Sequence, residues 1–255
     1  MSEIRPQVLV IAGLDPSSGA GLLADIKTLE IHKVYGFGIC SALTRQNDKE
    51  FYDIEWLDAK KIMGQIEVLA KKYSFGVVKI GLIQLNSTIT QVIDYLLELN
   101  KEIKIIWDPV LKASSGFEFH NTLSYEFINE IAAKTYLITP NIYEARILTN
   151  NAEHINQALL CLTNNINTKC SILLKGGHSP DNIKNDILFS EGKQIILSGE
   201  AISGFDKHGT GCVLSSAVAA GLSLGKSLEQ SCRDAKEYTR KFILSNKTLL
   251  GYHYG

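Results

Sequence analysis

The stretch QVLVIAGLDPSSGAGLLADIKTLEIHK, residues 7–33, joins a short apolar run to a glycine-rich turn and then to a run with helical spacing. The run QVLVIAG shows no alternation of polar and apolar residues, which is typical of a strand buried on both faces. In the second half, the apolar residues Leu22, Leu23, Ile26, Leu29 and Ile31 fall near one face of a helix. The stretch therefore predicts a strand, a ligand-facing turn and a helix.

The same unit recurs along the chain. Further strand-like runs are GVVKIG, KIIWDPV, TYLITPN and CSILLKGG, and the helical runs near them are TITQVIDYLLELN, TLSYEFINEIAAK and INQALLCLTNN. This alternation predicts an α/β fold with a central, mainly parallel sheet flanked by helices on both faces. No linker or internal repeat interrupts it, so we expect residues 1–255 to form a single domain.

Two segments depart from this rhythm. DILFSEGKQIILSG has apolar runs on either side of a polar turn, which predicts a small antiparallel hairpin at a sheet edge. YGFGICSALTRQNDKEFYDIEWLD is rich in glycine, aromatic residues and β-formers. We expect it to form one or two strands that act as a lid.

The composition excludes several classes of protein. The chain has 255 residues, 45% of them hydrophobic and 21% charged, as in ordinary soluble globular proteins. With 26 basic and 27 acidic residues there is no basic surface for nucleic acid, and no apolar run approaches the length of a membrane span. The five cysteines, Cys40, Cys161, Cys170, Cys212 and Cys232, form no CxxC pair. We expect a reduced, cytoplasmic protein that binds neither nucleic acid nor membrane.

Polar and glycine-rich segments follow the predicted strands. In open parallel sheets, ligands bind beyond the carboxyl ends of the strands. Segments of this kind are GLDPSSGAG, KIGLIQ, DPVLKASSG, TPNIYEA, KGGH and HGTGC. Their convergence predicts one ligand site at this edge of the sheet.

The segment HGTGC, residues 208–212, precedes a run of small and apolar residues. Gly209 and Gly211 let the backbone approach a ligand, and the start of the following helix adds free N–H groups and a positive dipole end. These features favour a phosphate. We expect the same field to lower the pKa of Cys212, so that its thiol could accept a proton from a substrate hydroxyl. The alternative is a tight turn in which a small residue packs at a helix start.

Asp108, Asn141 and Glu144 supply oxygen atoms suited to Mg²⁺, directly or through water. The alternative is local, with Asp108 capping a turn and Asn141 capping a helix that has Glu144 in its first turn. Lys175 ends a strand where its ammonium could meet a nucleotide phosphate. Asp25, on the first helix, could bind a substrate amine or face solvent.

The glycines of the first turn do not fit a dinucleotide-binding GxGxxG pattern or a Walker A motif. They stand at positions 13, 19 and 21. A dehydrogenase is therefore poorly supported.

The ordered motifs resemble those of a known family. They read G-x-D-P-S-x-G-A-G-x-x-A-D-x-K-T, A-L-T-x-Q-N, K-I-G, D-P-V, T-P-N-x-x-E-A, L-K-G-G-H and H-G-T-G-C. Together they resemble the ribokinase-like superfamily and, within it, the hydroxymethylpyrimidine/phosphomethylpyrimidine kinases of thiamine biosynthesis. The resemblance runs from about residue 8 to about residue 240.

The resemblance implies ATP-dependent phosphorylation of 4-amino-5-hydroxymethyl-2-methylpyrimidine and then of its monophosphate. It implies Cys212 as the catalytic base, an anion hole at Gly209, Thr210 and Gly211, and pyrimidine contacts from Gln46 and Asp25. We assign Gly13, Leu82 and Arg45 to the same substrate pocket. Lys175 and Asn141 are expected on the nucleotide side with Gly209 and Gly211, and Asp108 and Glu144 near Mg²⁺. The resemblance also implies a homodimer with lid strands at the interface.

The sequence departs from the family's pattern at several positions. Leu82 stands where methionine is common, Arg45 replaces a small residue, and Phe205, Asp206 and Lys207 replace the usual lead-in to HGTGC. The C-terminal LLGYHYG is also atypical. Two alternatives remain open at this stage, a pyridoxal or pyridoxine kinase of the same superfamily and a non-catalytic sensor of a pyrimidine or nucleotide.

Overall fold

The computed structural model describes residues 5–113, 116–120, 123–150, 152–164, 170–176, 185–199 and 206–254. The strands in this part of the chain are β1 (Gln7–Leu14), β2 (Tyr35–Gln46), β3 (Phe51–Trp56), β4 (Val77–Ile80), β5 (Lys104–Trp107), β6 (Leu137–Ile138), β7 (Ser171–Leu174), β8 (Asp186–Ser190) and β9 (Lys193–Leu197). The helices are α1 (Gly21–Ile31), α2 (Ala59–Ala70), α3 (Ser87–Leu99), α4 (Tyr125–Lys134), α5 (Ile142–Leu148), α6 (Ile155–Asn164), α7 (Thr210–Ser223) and α8 (Leu228–Leu244).

All nine strands join one sheet, in the order β3-β2-β1-β4-β5-β6-β7-β8-β9. Neighbouring strands from β2 through β1 and β4 to β7 run parallel, whereas β3, β8 and β9 pair antiparallel with their neighbours. This arrangement confirms the predicted α/β class and the antiparallel hairpin, which is β8–β9. The order reverses at β1, because β2 lies on one side of it and β4 on the other.

Helices cover both faces of the sheet, which explains the continuous apolar runs. Along β1, Leu9 and Ile11 pack into one core cluster with residues of α2, α3 and α4. Val8 and Val10 pack into the other cluster with residues of α1, α7 and α8. Successive side chains of a strand point to opposite faces, so both sets must be apolar here.

The predicted lid segment is partly integrated into the sheet. The first part of β2 pairs parallel with β1, and its last residues, Ala42–Gln46, pair antiparallel with β3. Two strands therefore form as expected, but the longer one belongs to the central sheet.

The predicted apolar face of α1 does pack against the core. Leu29 is buried, and Leu22 and Ile26 are half-buried against the same core cluster. The helix also buries Ala24, Asp25 and Thr28, and the apolar periodicity did not indicate the buried carboxylate. None of the helices within the described ranges is long and apolar enough to cross a membrane.

Candidate active site

A cleft of about 1000 Å³ opens at the carboxyl ends of the parallel strands. Residues at or just beyond five different strands line it, namely Gly13, Leu82, Asp108, Asn141 and Lys175. The cleft also includes the point where the strand order reverses at β1, which is where ligands bind in open α/β sheets. Parallel strands joined by helical crossovers thus bring together side chains that are far apart in the sequence.

The turn before α7 is built for close approach. Gly209 is the N-terminal cap of α7 and has φ 80°, a left-handed conformation that favours glycine. A Cβ atom at this position would lie 2.0 Å from the carbonyl oxygen of Gly19. Only glycine therefore lets this turn pack against the glycine-rich turn between β1 and α1. The N–H groups at the start of α7 face the cleft and form, with the helix dipole, a site suited to an anion.

Gly211 brings this turn close to a cation. A Cβ atom at Gly211 would lie 3.4 Å from the Lys175 Nζ atom and 3.8 Å from Asp108 Oδ2. Thr210, the first residue of α7, also lines the cleft. The predicted anion-binding residues and the predicted nucleotide-side lysine therefore share one end of the cleft.

Cys212 lies in the first turn of α7 and lines the cleft. Burial raises the pKa of its thiol to about 12, against the opposing charge of Lys79, and the carboxylates of Asp25 and Asp108 raise it further. The predicted lowering of this pKa was wrong, because desolvation and two acids outweigh the helix N-terminus and the lysine. At neutral pH, Cys212 is a neutral thiol.

Lys175 joins two carboxylates at the floor of the cleft. Its Nζ atom lies 2.9 Å from Asp108 Oδ1 and 3.7 Å from Glu144 Oε2. Burial disfavours the Asp108 carboxylate, but Lys175 and Lys79 hold the pKa of Asp108 below its usual value. Burial raises the pKa of Glu144 to about 7, although Lys175 opposes this.

Asn141 and Glu144 also perform the local role that the sequence left open. The Asn141 side chain accepts a hydrogen bond from the Glu144 N–H group, and the Glu144 carboxylate accepts one from the Asn141 N–H group. This reciprocal capping box begins α5. The capping role does not remove either residue from the cleft, which both of them line.

The donor set fits Mg²⁺ through water better than by direct coordination. Lys175 already occupies the space between the two carboxylates, and Asp108 also accepts hydrogen bonds from Thr139 and Ser215. In the described ranges, no group of three or more His, Cys, Asp or Glu residues could hold a metal ion.

Gln46, the last residue of β2, lines the same cleft. Its Nε2 atom donates a hydrogen bond to Thr44 Oγ1 over 2.9 Å, and Thr44 in turn donates to the Leu14 carbonyl. This chain orients an amide that can both donate and accept hydrogen bonds. Gly13 leaves room for the Leu82 side chain, which lines the cleft beside it, because a Cβ atom at position 13 would lie 2.9 Å from Leu82 Cδ2.

The structure does not bring two of the predicted substrate-pocket residues, Arg45 and Asp25, to the lining of the cleft. Arg45 is exposed, its Nε atom lies 3.9 Å from Asp53 Oδ2, and it does not line the cleft that contains Gln46. Neighbouring strand residues point to opposite faces, so the two side chains diverge. Asp25 is fully buried and pairs with Lys79, so it contacts neither solvent nor the cleft.

A buried Asp–His pair, which the sequence pattern did not indicate, joins the two glycine-rich turns. His208 Nε2 and Asp15 Oδ2 lie 2.8 Å apart. Burial works against the Asp15 carboxylate, but hydrogen bonds from His208 and Ser17 hold the pKa of Asp15 below its usual value. Both residues belong to motifs already quoted, but nothing local in the sequence pairs them.

The atypical lead-in and the atypical C-terminal segment contact each other. The Lys207 ammonium donates to the carbonyl oxygens of Asn246 and Thr248 over 2.6 and 2.7 Å. The His208 N–H group donates to the Leu249 carbonyl over 2.9 Å. The segment after α8 thus closes against the anion-binding turn. Asp206 lines the cleft, whereas Phe205 lies outside the described residues.

The sheet order, the helix N-terminus and the lysine–carboxylate cluster define the class as a ribokinase-like phosphotransferase fold. A pyridoxal kinase of Bacillus subtilis, solved as an ADP complex, shares this fold with a TM-score of 0.84 and 23% identity, over 98% of this chain and 97% of that one. The sequence profile of the phosphomethylpyrimidine kinase family matches residues 15–255. The chain belongs to the phosphomethylpyrimidine kinase family.

Individual relatives agree with the family assignment. A hydroxymethylpyrimidine/phosphomethylpyrimidine kinase of Aquifex aeolicus is 32% identical over 94% of this chain and 95% of its own length. One from Saccharomyces cerevisiae is 35% identical over 95% of this chain, which spans only 46% of that longer relative. The crystal structure of a Clostridium difficile phosphomethylpyrimidine kinase has a TM-score of 0.75 and 30% identity, over 92% of this chain and 98% of that one.

The close approach of Gly209 to Gly19 can be tested by Gly209→Ala. The methyl group would meet the Gly19 carbonyl and displace the anion-binding turn, so we expect kcat/KM to fall about a hundredfold or more, as when an oxyanion donor is lost. Gly225→Ala is the matched control, because Gly225 also has φ 80° but nothing within 4 Å of the added Cβ. Both variants carry backbone strain of about 1–2 kcal/mol, seen as a lower Tm. Equal activity in the two variants would show that the close approach is unimportant.

Proposed function

We propose that this protein transfers a phosphoryl group from ATP to the hydroxymethyl group of 4-amino-5-hydroxymethyl-2-methylpyrimidine, and then a second one to the resulting monophosphate. The observation that carries the proposal is a single cleft lined by two chemically different sets of groups. The anion-binding turn, Lys175 and Cys212 line it together with the Gln46 amide. The names of the relatives supply the substrate class.

Positioning and charge neutralisation account for most of the proposed catalysis. The transition state of phosphoryl transfer is loose, and negative charge spreads over the peripheral oxygens of the transferred group. The N–H groups at the start of α7 and the Lys175 ammonium would face those oxygens. Asp108 keeps Lys175 charged and in place through their 2.9 Å contact.

Mg²⁺ would neutralise charge on the ATP phosphates when bound. Asp108 and Glu144 would hold it through water, since Lys175 lies between their carboxylates. We also propose that the protein is cytoplasmic and forms a homodimer. Exposed apolar side chains on the lid strands, Leu43 and Tyr52, support the dimer.

The assignment of substrate is tested by mass spectrometry of the products formed with Mg-ATP. We expect monophosphate first and then diphosphate from the hydroxymethylpyrimidine, and diphosphate alone when the monophosphate is supplied. Pyridoxal and pyridoxine serve as competing acceptors in the same assay. Faster phosphorylation of either would favour a pyridoxal kinase, and ligand binding without any product would favour a sensor.

Cys212 is proposed as the proton acceptor, with the thiolate sulfur taking the hydroxyl proton as the O–P bond forms. Burial raises its pKa to about 12, so the thiolate is a minor species at neutral pH. The thiolate fraction increases with pH below that value, and kcat/KM should therefore rise about tenfold per pH unit between about pH 7 and pH 9.

In Cys212→Ala, we expect this pH dependence to disappear and kcat to fall about a hundredfold or more. Cys40→Ala is the control, because Cys40 is also partly exposed but does not line the cleft. A flat wild-type profile, or near-normal turnover in the alanine variant, would remove the thiol from the proton transfer.

Gln46 is proposed to recognise the aminopyrimidine edge, since an amide can donate and accept hydrogen bonds at once. Gln46→Leu should raise the KM of the pyrimidine at least about tenfold, as for a lost pair of hydrogen bonds, and leave the KM of ATP nearly unchanged. Arg45→Leu is the control on the opposite side of the same strand and should change neither constant. If both variants affect the pyrimidine equally, Gln46 has no special role in recognition.

A further inference from the structure

Two fully buried charged side chains lie outside the cleft lining and are linked by hydrogen bonds to the helix that carries Cys212. Lys79 on β4 and Asp25 on α1 both have 0% exposure, and Lys79 Nζ lies 2.7 Å from Asp25 Oδ2. Neither lines the cleft, so neither contacts a ligand bound there. The proposed reaction uses neither of them directly.

Lys79 and Asp25 are the charged residues among the otherwise uncharged buried residues of β4 and α1. The other residues of β4, Val77, Val78 and Ile80, are buried and apolar. Removing two charges from water opposes folding, and a well-packed apolar pair often stabilises a core as well or better. Stability of the fold therefore gives no reason for an ion pair here, and departures of this kind concentrate at functional sites.

The ion pair is tied to the helix that carries the cysteine. Ser216 Oγ donates to Asp25 Oδ1 over 2.7 Å and is itself fully buried. Ser216 is four residues after Cys212, so the two side chains lie one turn apart on the same face of α7. Gly81 provides the space for the ammonium, because a Cβ atom there would lie 2.7 Å from Lys79 Nζ.

Four charged groups act on the Cys212 thiol, from four elements of the fold. They are Lys79 on β4, Asp25 on α1, Asp108 after β5 and Lys175 after β7. Lys175 is engaged by Asp108 and Glu144. Among these groups, the Lys79 ammonium lowers the pKa of the thiol, and the Asp25 and Asp108 carboxylates raise it.

We propose that Lys79 is a positioning residue for Cys212, whose buried ammonium, held by Asp25 and anchored through Ser216 to α7, stabilises the thiolate that accepts the substrate proton. The inference rests on the proposed function of Cys212. In the step concerned, the hydroxyl proton moves to the thiolate sulfur while the hydroxyl oxygen bonds to phosphorus and the O–P bond to ADP breaks. Lys79 stays protonated and Asp25 stays ionised throughout this step.

The charges of the pair persist at neutral pH. Burial raises the pKa of Asp25 to about 6, with Lys79 opposing, so its carboxylate remains ionised at pH 7. Burial disfavours the Lys79 ammonium, but Asp25 outweighs this and the pKa of Lys79 lies above its usual value. Lys79 therefore stays positive throughout the pH range of an assay.

The test is the rate at which iodoacetamide alkylates Cys212 in the folded chain at pH 8, measured by peptide mass spectrometry. Only the thiolate reacts, and Cys40 in the same molecule is the internal reference. In Lys79→Met, we expect the ratio of the Cys212 rate to the Cys40 rate to fall at least about tenfold, as for the loss of a nearby opposite charge. The kcat should fall with it, while the KM of ATP is kept.

A second variant covers the case in which Lys79→Met fails to fold. Lys79→Met/Asp25→Asn removes both charges together, so no unpaired charge is buried. The ratio should still fall, but less than in Lys79→Met, because the lost Asp25 carboxylate had raised the pKa of Cys212. Thr28→Val is the matched control, since Thr28 is a fully buried side chain of α1 whose hydroxyl donates to the Ala24 carbonyl, and the change keeps both charges and the Ser216 bond. Its ratio should stay within about twofold of the wild type.

A Cys212 ratio within about twofold of the wild type in a folded Lys79 variant would overturn the proposal. So would an equal fall in Thr28→Val, which would indicate packing rather than charge. Alkylation requires neither substrate nor turnover. An unchanged alkylation ratio would therefore reject the role of Lys79 even if the chain is an active kinase. A lower ratio would support that role even if no kinase activity is found.

Discussion

The contact between the two glycine-rich turns is the constraint on which the active site depends. Gly209 can lie against the Gly19 carbonyl only because it has no side chain and adopts a left-handed conformation. The Asp15–His208 hydrogen bond joins the same two turns across 193 residues of sequence. Once these turns meet, the start of α7 faces the ends of the strands, and Cys212 and the N–H groups share one cleft.

The buried charges in this site occur as contacts between ammonium and carboxylate groups. Lys175 lies between Asp108 and Glu144, and Lys79 pairs with Asp25 behind the cleft. Each carboxylate keeps an ammonium charged in a poorly solvated place, and each ammonium offsets part of the desolvation of a carboxylate. The same balance explains why the Cys212 thiol has a high pKa despite its place at a helix N-terminus.

The regular part of the fold could be predicted because its signals are local. The run QVLVIAG places apolar residues on both faces of a strand, and β1 packs against both core clusters. The polar segments after the strands indicated the edge at which the cleft opens. Along α1, periodicity indicated that Leu22, Ile26 and Leu29 face the core, but it could not show that Asp25 has a buried lysine partner on another element.

The sequence alone determined the α/β class, the family resemblance and the residue types at the strand ends, because periodicity, glycine turns and motif order are properties of neighbouring residues. The tertiary structure decided which of those residues meet. It separated Arg45 from Gln46, buried Asp25 against Lys79, and set the C-terminal segment against Lys207. It also reversed the expected shift of the Cys212 pKa, because desolvation and the field of distant charges depend on where the chain folds, not on the order of its residues.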